Sequence, residues 1–152
     1  MFYGQFRHSI DSKGRLIIPA KFRDALRENY IEKFWVTRGI ERCVYVYTPR
    51  EWNLLMAKFK ELSLTAGKAR DFLRGMVSNA SEVECDKQGR IMLPQNLLAL
   101  AGITRDVVVA GMLSRFEIWD EASWKRYEEE RGENFEEIAE QLNAQLDAAR
   151  GL

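Results

Sequence analysis

The feature that most constrains the fold of this chain is an internal repeat. Residues 11–19, DSKGRLIIP, recur as residues 86–94, DKQGRIMLP, with Asp, Gly, Arg and Pro at identical spacing. Farther along, VTRG at 36–39, CVYVY at 43–47 and Trp52 correspond to VAG at 109–111, RFEIW at 115–119 and Trp124. Such an ordered series is hard to attribute to chance, so the sequence predicts a duplicated structural unit.

The repeated motif has the chemistry of a tight turn. Gly14 and Gly89 can adopt the positive φ that other residues avoid. Asp11 and Asp86 can accept hydrogen bonds from backbone N–H groups two or three residues further on. Each copy of the motif is therefore predicted to connect two strands.

The elements that follow each turn are predicted from the local pattern. Pro19 and Pro94 end short apolar strands and suit the first turn of a helix. Thr48 and Asp120 are helix-capping residues after the two later hairpins. We predict strands at 16–18 and 91–93, helices at 20–27 and 95–101, and hairpins that join 34–37 to 44–47 and 107–110 to 116–119. Near the end of the chain, apolar residues three or four apart predict an amphipathic helix: Phe135, Ile138, Leu142, Leu146 and Ala149.

Composition excludes several classes of protein. With 152 residues and 46% hydrophobic residues, the chain can form one packed domain or two small ones that share a core. No apolar run approaches the roughly 18 residues that cross a bilayer, and the first residues lack the apolar block of a signal peptide, so we expect a cytoplasmic protein. The chain lacks both a disulfide framework and a zinc-ligand pattern, because it contains only two cysteines, Cys43 and Cys85, and one histidine, His8. We expect His8 on the surface. Because common catalytic motifs are also missing, we expect no enzyme activity, no metal and no cofactor.

The net charge of zero conceals a gradient along the chain. The first 27 residues are basic, with Arg7, Lys13, Arg15, Lys21, Arg23 and Arg27 against Asp11 and Asp24. After Asp120 the acidic residues outnumber the basic ones by about two to one: Glu121, Glu128, Glu129, Glu130, Glu133, Glu136, Glu137, Glu140 and Asp147 against Lys125, Arg126, Arg131 and Arg150. This asymmetry indicates an anionic partner at one end, although a charge run is more often only a solvated surface.

The arginine of each turn has two interpretations. In the structural one, Asp11 holds Arg15 and Asp86 holds Arg90 by a charge-assisted hydrogen bond. In the functional one, the turn presents cations to nucleic acid, because a guanidinium matches a phosphate or a guanine edge and a β-turn or strand can enter the DNA major groove. Lys13 in the first turn favours the functional interpretation there.

The same residues carry a resemblance to a known family. MFYG at 1–4, DSKGR at 11–15, IPAKFR at 18–23, TRG at 37–39, EW at 51–52, DKQGR at 86–90 and EIW at 117–119 resemble the bacterial MraZ family, over nearly the whole chain and most weakly after Trp124. The resemblance implies an α+β fold in which two tandem swapped-hairpin half-barrels of the SpoVT/AbrB type form one pseudo-symmetric barrel with flanking helices. The implied segments are a first repeat at 5–52, a helical connector at 53–80, a second repeat at 81–124 and an acidic amphipathic C-terminal helix at 125–152.

The resemblance also implies a function. Members of the family are sequence-specific transcriptional regulators that bind short tandem repeats of double-stranded DNA upstream of their own gene, at the head of a division and cell-wall cluster. A ring-shaped homo-oligomer on the nucleoid is implied as well. Carried over to this chain, the DNA-binding residues are Arg7, Lys13, Arg15, Lys87 and Arg90, and the turn-shaping residues are Asp11, Gly14, Asp86 and Gly89.

The two turns differ in charge, and the difference indicates which of them contacts DNA more strongly. The second turn has Gln88 where the first has Lys13, and the preceding residues 81–84, SEVE, are acidic. We therefore expect the first turn to be the main DNA contact. The alternative hypothesis is a structural scaffold or an antitoxin-like module whose acidic C-terminal helix holds a protein partner.

Overall fold

The computed structural model describes residues 1–150, with side chains through residue 148. It is an α+β protein of two compact units, one from Met1 to Glu121 and one from Ala122 onward. The strands are β1 Gln5–Ser9, β2 Arg15–Ile17, β3 Lys33–Arg38, β4 Val44–Tyr47, β5 Ser81–Glu84, β6 Arg90–Met92, β7 Asp106–Met112 and β8 Arg115–Asp120. The helices are α1 Ala20–Glu28, α2 Pro49–Phe59, α3 Gly67–Val77, α4 Gln95–Leu100, α5 Glu121–Gly132 and α6 Phe135–Arg150. None of these helices is long and apolar enough to span a membrane.

The strands of the two repeats pair with one another. An antiparallel six-stranded sheet has the order β1-β7-β8-β4-β3-β5, and β2 and β6 form a separate two-stranded ribbon. The first repeat's β1 and β3 pair with β7 and β5 of the second repeat, and β2 pairs with β6, all antiparallel. Neither repeat therefore completes a sheet from its own strands.

The contacts that precede the two turns are duplicated. The N–H of Ile10 donates to the carbonyl of Arg105 at 2.7 Å, and the N–H of Cys85 donates to the carbonyl of Glu32, also at 2.7 Å. Ile10 and Cys85 occupy the same position of the repeat, one residue before the turn aspartate. Arg105 and Glu32 are therefore equivalent positions of the two repeats.

The core lies between the large sheet and the ribbon with helices α1 and α4. Phe22 contacts Phe2 and Phe116 with ring centroids 5.0 and 5.3 Å apart. Around these rings pack fully buried aliphatic side chains of the ribbon and the central strands: Leu16, Ile18, Ile91, Leu97, Val36, Val44, Val46, Val107, Val109 and Ile118. Burial of this apolar surface is the main favourable contribution to folding.

The predicted helix starts after Pro19 and Pro94 are confirmed, because α1 and α4 begin at the next residue in each case. The predicted cap at Thr48 is confirmed as well: its side chain accepts the N–H of Glu51 at 3.4 Å, with Pro49 as the first helical residue. These features depend on neighbouring residues, so local sequence predicts them.

The amphipathic helix predicted from the spacing that begins at Phe135 is present as α6, but the bounds of 125–152 for a single C-terminal helix are wrong. The structure has two helices, with α5 ending at Gly132 and α6 beginning at Phe135. Glycine is a poor helix former and asparagine favours a helix start, and the carbonyl of Asn134 accepts the N–H of Ile138 at 2.9 Å. Residues 151–152 of the predicted helix and the side chain of Ala149 lie outside the described residues.

Candidate functional site

The first turn is organised by one carboxylate. Oδ1 of Asp11 accepts the backbone N–H groups of Lys13 and Arg15, both at 2.9 Å, and Oδ2 accepts Nε of Arg15 at 2.6 Å. Gly14 has φ +78°, in the left-handed region where a glycine is required. Every motif residue of this turn except Ser12 and Lys13 thus has a conformational role.

The second turn repeats this geometry. Oδ1 of Asp86 accepts the N–H groups of Gln88 and Arg90, both at 2.9 Å, and Oδ2 accepts Nε of Arg90 at 2.8 Å. Gly89 has φ +79°. The predicted turns between strands, and the predicted Asp–Arg pairs within them, are both observed.

The two aspartates remain ionised at neutral pH. The backbone N–H of Arg15, followed by its guanidinium, lowers the pKa of Asp11 below its ordinary value, and the N–H and guanidinium of Arg90 do the same for the pKa of Asp86. The carboxylates therefore hold both turns with full charge throughout the neutral range.

Each arginine gives only one edge to its aspartate. Nε donates to the carboxylate, and the terminal NH1 and NH2 groups of Arg15 and Arg90 have no hydrogen-bond partner among the described residues. About a quarter of each side chain is exposed, 28% for Arg15 and 25% for Arg90. The structural and functional interpretations of the arginine are therefore compatible, because the pair that orients the guanidinium leaves its outer edge open for a ligand.

The ribbon brings the two arginines to one surface. In the antiparallel register Arg15 lies opposite Met92, and Ile17 lies opposite Arg90. Cβ atoms at diagonal positions of such a pair lie within roughly 8 Å of each other. Ile17 and Met92 are 45% and 54% exposed. The outer face of the ribbon thus presents two cations alternating with two exposed apolar side chains.

The turns are held to the ribbon by reciprocal bonds. The N–H of Leu93 donates to the carbonyl of Gly14, and the N–H of Ile18 donates to the carbonyl of Gly89, both at 2.9 Å. Each turn is fixed by the strand end of the other repeat. The position of one arginine therefore depends on both repeats.

A cleft of about 610 Å³ beside the ribbon contains both motif arginines. Its other lining residues are Ser9, Ile10, Asp11, Ser12, Ile17, Thr104 and Arg105. Sequence reasoning did not identify Arg105, because it belongs to no motif and its equivalent in the other repeat is Glu32. Only the contact between Ile10 and Arg105 brings this third arginine to the first turn.

The remaining predicted cations lie outside this cleft. Arg7 is exposed on β1 and lines a neighbouring depression that shares Ser9 and Ile17 with the cleft. Lys13 is exposed and lines a different depression together with Glu84. Lys87 is exposed. The structure therefore gathers Arg15 and Arg90 in one cleft and leaves the other three at its borders or beyond.

Arg23 packs over the second turn, a contact that the sequence did not indicate. A Cβ at Gly89 would lie 2.6 Å from Cδ of Arg23, whereas the side-chain atom nearest to a Cβ at Gly14 would be Cδ1 of Leu98 at 3.5 Å. Nε of Arg23 is buried and has no hydrogen-bond partner within residues 1–150. Burial, followed by the charge of Arg23, lowers the pKa of His8. His8 is half-buried in β1 rather than fully on the surface.

Comparison with known proteins agrees with the repeated geometry. A sequence model for the MraZ protein matches residues 1–75 and again residues 76–146. The chain belongs to the MraZ family. The family resemblance and the internal duplication, both predicted from the sequence motifs, are thus confirmed.

Three similar MraZ proteins each bear the name Transcriptional regulator MraZ. The protein of Natranaerobius thermophilus is 48% identical, that of Ligilactobacillus salivarius 47% and that of Acetivibrio thermocellus 44%. Each alignment spans 142 residues, which is 93% of this chain and 96% of the relative. The similarity therefore includes both turns and the ribbon.

Proposed function

We propose that this chain is a sequence-specific DNA-binding transcriptional regulator that contacts DNA through the two DxxxR turns. The observation that carries the proposal is the cleft in which Arg15 and Arg90 each use only Nε within the protein. The name shared by the relatives, Transcriptional regulator MraZ, supports it. No catalysis is part of this proposal.

The ribbon has suitable dimensions for the DNA major groove. That groove is about 12 Å wide and admits a two-stranded β-ribbon. The terminal N–H groups of Arg15 or Arg90 can donate in bidentate fashion to O6 and N7 of guanine, while the exposed Ile17 and Met92 can contact thymine methyl groups. Because Asp11 already orients Arg15, little side-chain entropy is lost on binding.

The remaining cations suit the DNA backbone. We assign phosphate contacts to Arg7, Lys13 and Lys87, because exposed cations at the border of a base-contacting surface position the duplex without selecting its sequence. The first turn, with Lys13, is the main contact, and Asp11, Gly14, Asp86 and Gly89 shape the turns.

The proposal extends to architecture and assembly. The exchanged strand pairing supports a pseudo-symmetric barrel of two swapped-hairpin repeats, 5–52 and 81–124, joined by a connector at 53–80. A ring of several subunits on tandem repeats upstream of the protein's own operon, in the division and cell-wall cluster, would place many turns on one duplex. Linked contacts of this kind raise the affinity through effective concentration, so a neutral chain can bind DNA tightly on the nucleoid.

The test is fluorescence anisotropy with a duplex from upstream of the protein's own gene and a scrambled duplex as competitor. We expect wild type to bind the upstream duplex with preference and Arg15→Ala to reduce that preference by about 5- to 150-fold, since one bidentate base contact contributes about 1–3 kcal/mol. Arg15→Lys keeps the charge but not the fork, so it should retain non-specific binding and lose the preference.

The matched control is Arg50→Ala. Arg50 is exposed in the first turn of α2 and lines a groove that contains none of Arg15, Arg90 and Arg105, so this control removes an arginine from outside the cleft. If Arg15→Ala binds the upstream duplex as tightly as Arg50→Ala does, the assignment of the turn to DNA is wrong.

The scaffold or antitoxin-like hypothesis gives a different result in the same assay. It requires weak binding, equal on both duplexes, and a protein complex that is lost when the residues after Gly132 are deleted. Preferential binding by wild type together with retained preference in the truncated chain rejects it.

A further inference from the structure

We infer that Arg105 binds a phosphate of the DNA backbone beside the first turn, and that it makes the two repeats unequal in DNA binding. The inference rests on the proposed function and names a contact that neither the motif nor the family comparison assigns. It concerns the cleft lined by Arg15, Arg90 and Arg105.

The position of Arg105 is fixed by the first turn. Its carbonyl accepts the N–H of Ile10 at 2.7 Å, immediately before Asp11, and β7 begins at the next residue. The side chain is exposed and has no hydrogen-bond or ion-pair partner among the described residues. Its backbone is therefore held in place while its guanidinium is available to a ligand.

The chemistry of the cleft suits a phosphodiester. Arg15 and Arg105 supply N–H donors, and Ser9, Ser12 and Thr104 add hydroxyl groups. Asp11 also lines the cleft, but both of its carboxylate oxygens already accept N–H donors from the turn. A phosphate in this cleft would thus meet mainly donors.

The pseudo-symmetric position has the opposite charge. Glu32 makes the same backbone contact with Cys85, before the second turn, that Arg105 makes with Ile10, before the first. A backbone phosphate in the corresponding place on the second repeat would meet a carboxylate. One residue pair therefore distinguishes two turns that have nearly identical internal geometry.

Among the equivalent positions 75 residues apart, three change in the same direction, whereas Ser12, which corresponds to Lys87, changes in the opposite one. Arg7 corresponds to Glu82, Ser9 to Glu84 and Lys13 to Gln88. Lys33 offsets part of the acidic charge, since its Nζ lies 3.8 Å from Glu82 and 3.6 Å from Glu84. The strand before the first turn, with Arg7, is therefore less acidic than the strand before the second turn, with Glu82 and Glu84, which makes the surroundings of the two turns unequal toward a phosphate backbone.

The experiment measures the salt dependence of DNA binding. Wild type, Arg105→Ala and Arg105→Lys are titrated into the upstream and scrambled duplexes between 50 and 300 mM salt (about the range where such slopes are linear). We expect Arg105→Ala to reduce the slope of log K against log salt by about 0.9 per contacting subunit. Binding to both duplexes should weaken equally, by roughly eightfold per lost contact at 0.1 M salt. Arg105→Lys should restore the slope.

Two matched controls accompany these variants. Glu32→Gln, at the equivalent position of the second repeat, should leave the slope unchanged or raise it, and Arg50→Ala should leave it unchanged. Equal Tm values for all variants establish that folding is intact, which is expected because the contact with Ile10 uses only the backbone of Arg105.

The outcomes separate this inference from the proposed function. If Arg105→Ala binds with the wild-type slope and affinity while Arg15→Ala loses operator preference, Arg105 is no phosphate contact and the proposed function stands. A selective loss of operator preference in Arg105→Ala, with an unchanged slope, overturns the phosphate assignment in favour of a base contact. If wild type shows no preference between the duplexes, the proposed function and this inference both fail.

Discussion

Replacement of Gly14 by alanine tests whether the turn conformation is a requirement of the fold. Gly14 is buried and has φ +78°, and a Cβ there would lie 3.1 Å from the carbonyl oxygen of Leu93. That oxygen belongs to backbone that is held in place, because the N–H of Leu93 donates to the carbonyl of Gly14. The added methyl group therefore meets both conformational strain and a close contact that cannot easily move.

The magnitude follows from three contributions. An L-residue in the left-handed region costs about 1–2 kcal/mol. The contact with Leu93 adds to this cost, and the smaller conformational freedom of alanine in the unfolded chain offsets about 0.4–1 kcal/mol. We expect Gly14→Ala to lower the free energy of unfolding by about 1–2 kcal/mol, which corresponds to a decrease in Tm of roughly 3–8 °C.

The assay is urea denaturation followed by circular dichroism, at one fixed protein concentration because self-association would shift the apparent stability. Gly75→Ala is the matched control. Gly75 lies inside α3 with an ordinary helical backbone, and its Cβ would be 3.8 Å from Cδ of Arg38, a normal contact. Alanine is the better helix former there, so this variant should be up to about 1 kcal/mol more stable than wild type.

The comparison between the two variants decides the question. If Gly14→Ala proves as stable as Gly75→Ala, the turn tolerates a side chain and the strained conformation does not constrain the motif. If Gly14→Ala instead changes the slope of the unfolding free energy against urea concentration, and not only the midpoint, the substitution has altered the compactness of the native or the unfolded state.

Two further predictions concern the sheet. The side chain of Glu117 is 8% exposed and accepts Nε and NH2 of Arg115 at 2.9 and 2.7 Å and Nε1 of Trp119 at 3.0 Å. Glu117→Gln should therefore lower the free energy of unfolding by about 2–3 kcal/mol. This is less than for a fully buried pair, because the side chain of Arg115 is 23% exposed. Adding Arg115→Met should recover part of that loss in urea denaturation, and a strictly additive double variant would contradict the coupling. Burial and the charge of Arg23 lower the pKa of His8 below its ordinary 6.5. The folded protein therefore favours the neutral imidazole, so the contribution of His8 to the free energy of unfolding is fully present above pH 6.5 and is lost as the pH falls through the folded-state pKa. Thermal unfolding between pH 7.5 and 5 should show this decrease in wild type and a smaller one in His8→Gln, and equal decreases would refute the role of His8.

Much of the local structure was predictable because its causes lie within a few residues. Asp11 and Gly14 define a turn through contacts that span four residues, and Thr48 begins a helix through a contact with Glu51. Near the C-terminus, the apolar spacing from Phe135 onward correctly predicted α6, whereas the segment bounds of 125–152 did not include the break between Gly132 and Phe135.

The site was predictable only in part. The motif identified Arg15 and Arg90, because a guanidinium four residues after a turn aspartate is visible in the sequence. It could not identify Arg105, which belongs to no motif, nor show that Arg23, the last residue of IPAKFR, reaches the second turn across the fold. Nor could it show that Lys13 faces a different depression from the one that contains both motif arginines.

The duplication, the chemistry of each turn, the starts of α1, α2 and α4 and the membership of the family could all be read from the sequence. These properties depend on residue identity and short spacing, which the chain carries wherever it folds. Only the tertiary structure decided that β2 pairs with β6 and that both motif arginines share one cleft with a third. The physical reason is that strand pairing joins residues about 75 positions apart, and backbone hydrogen bonds between strands carry no signature in the sequence of either strand.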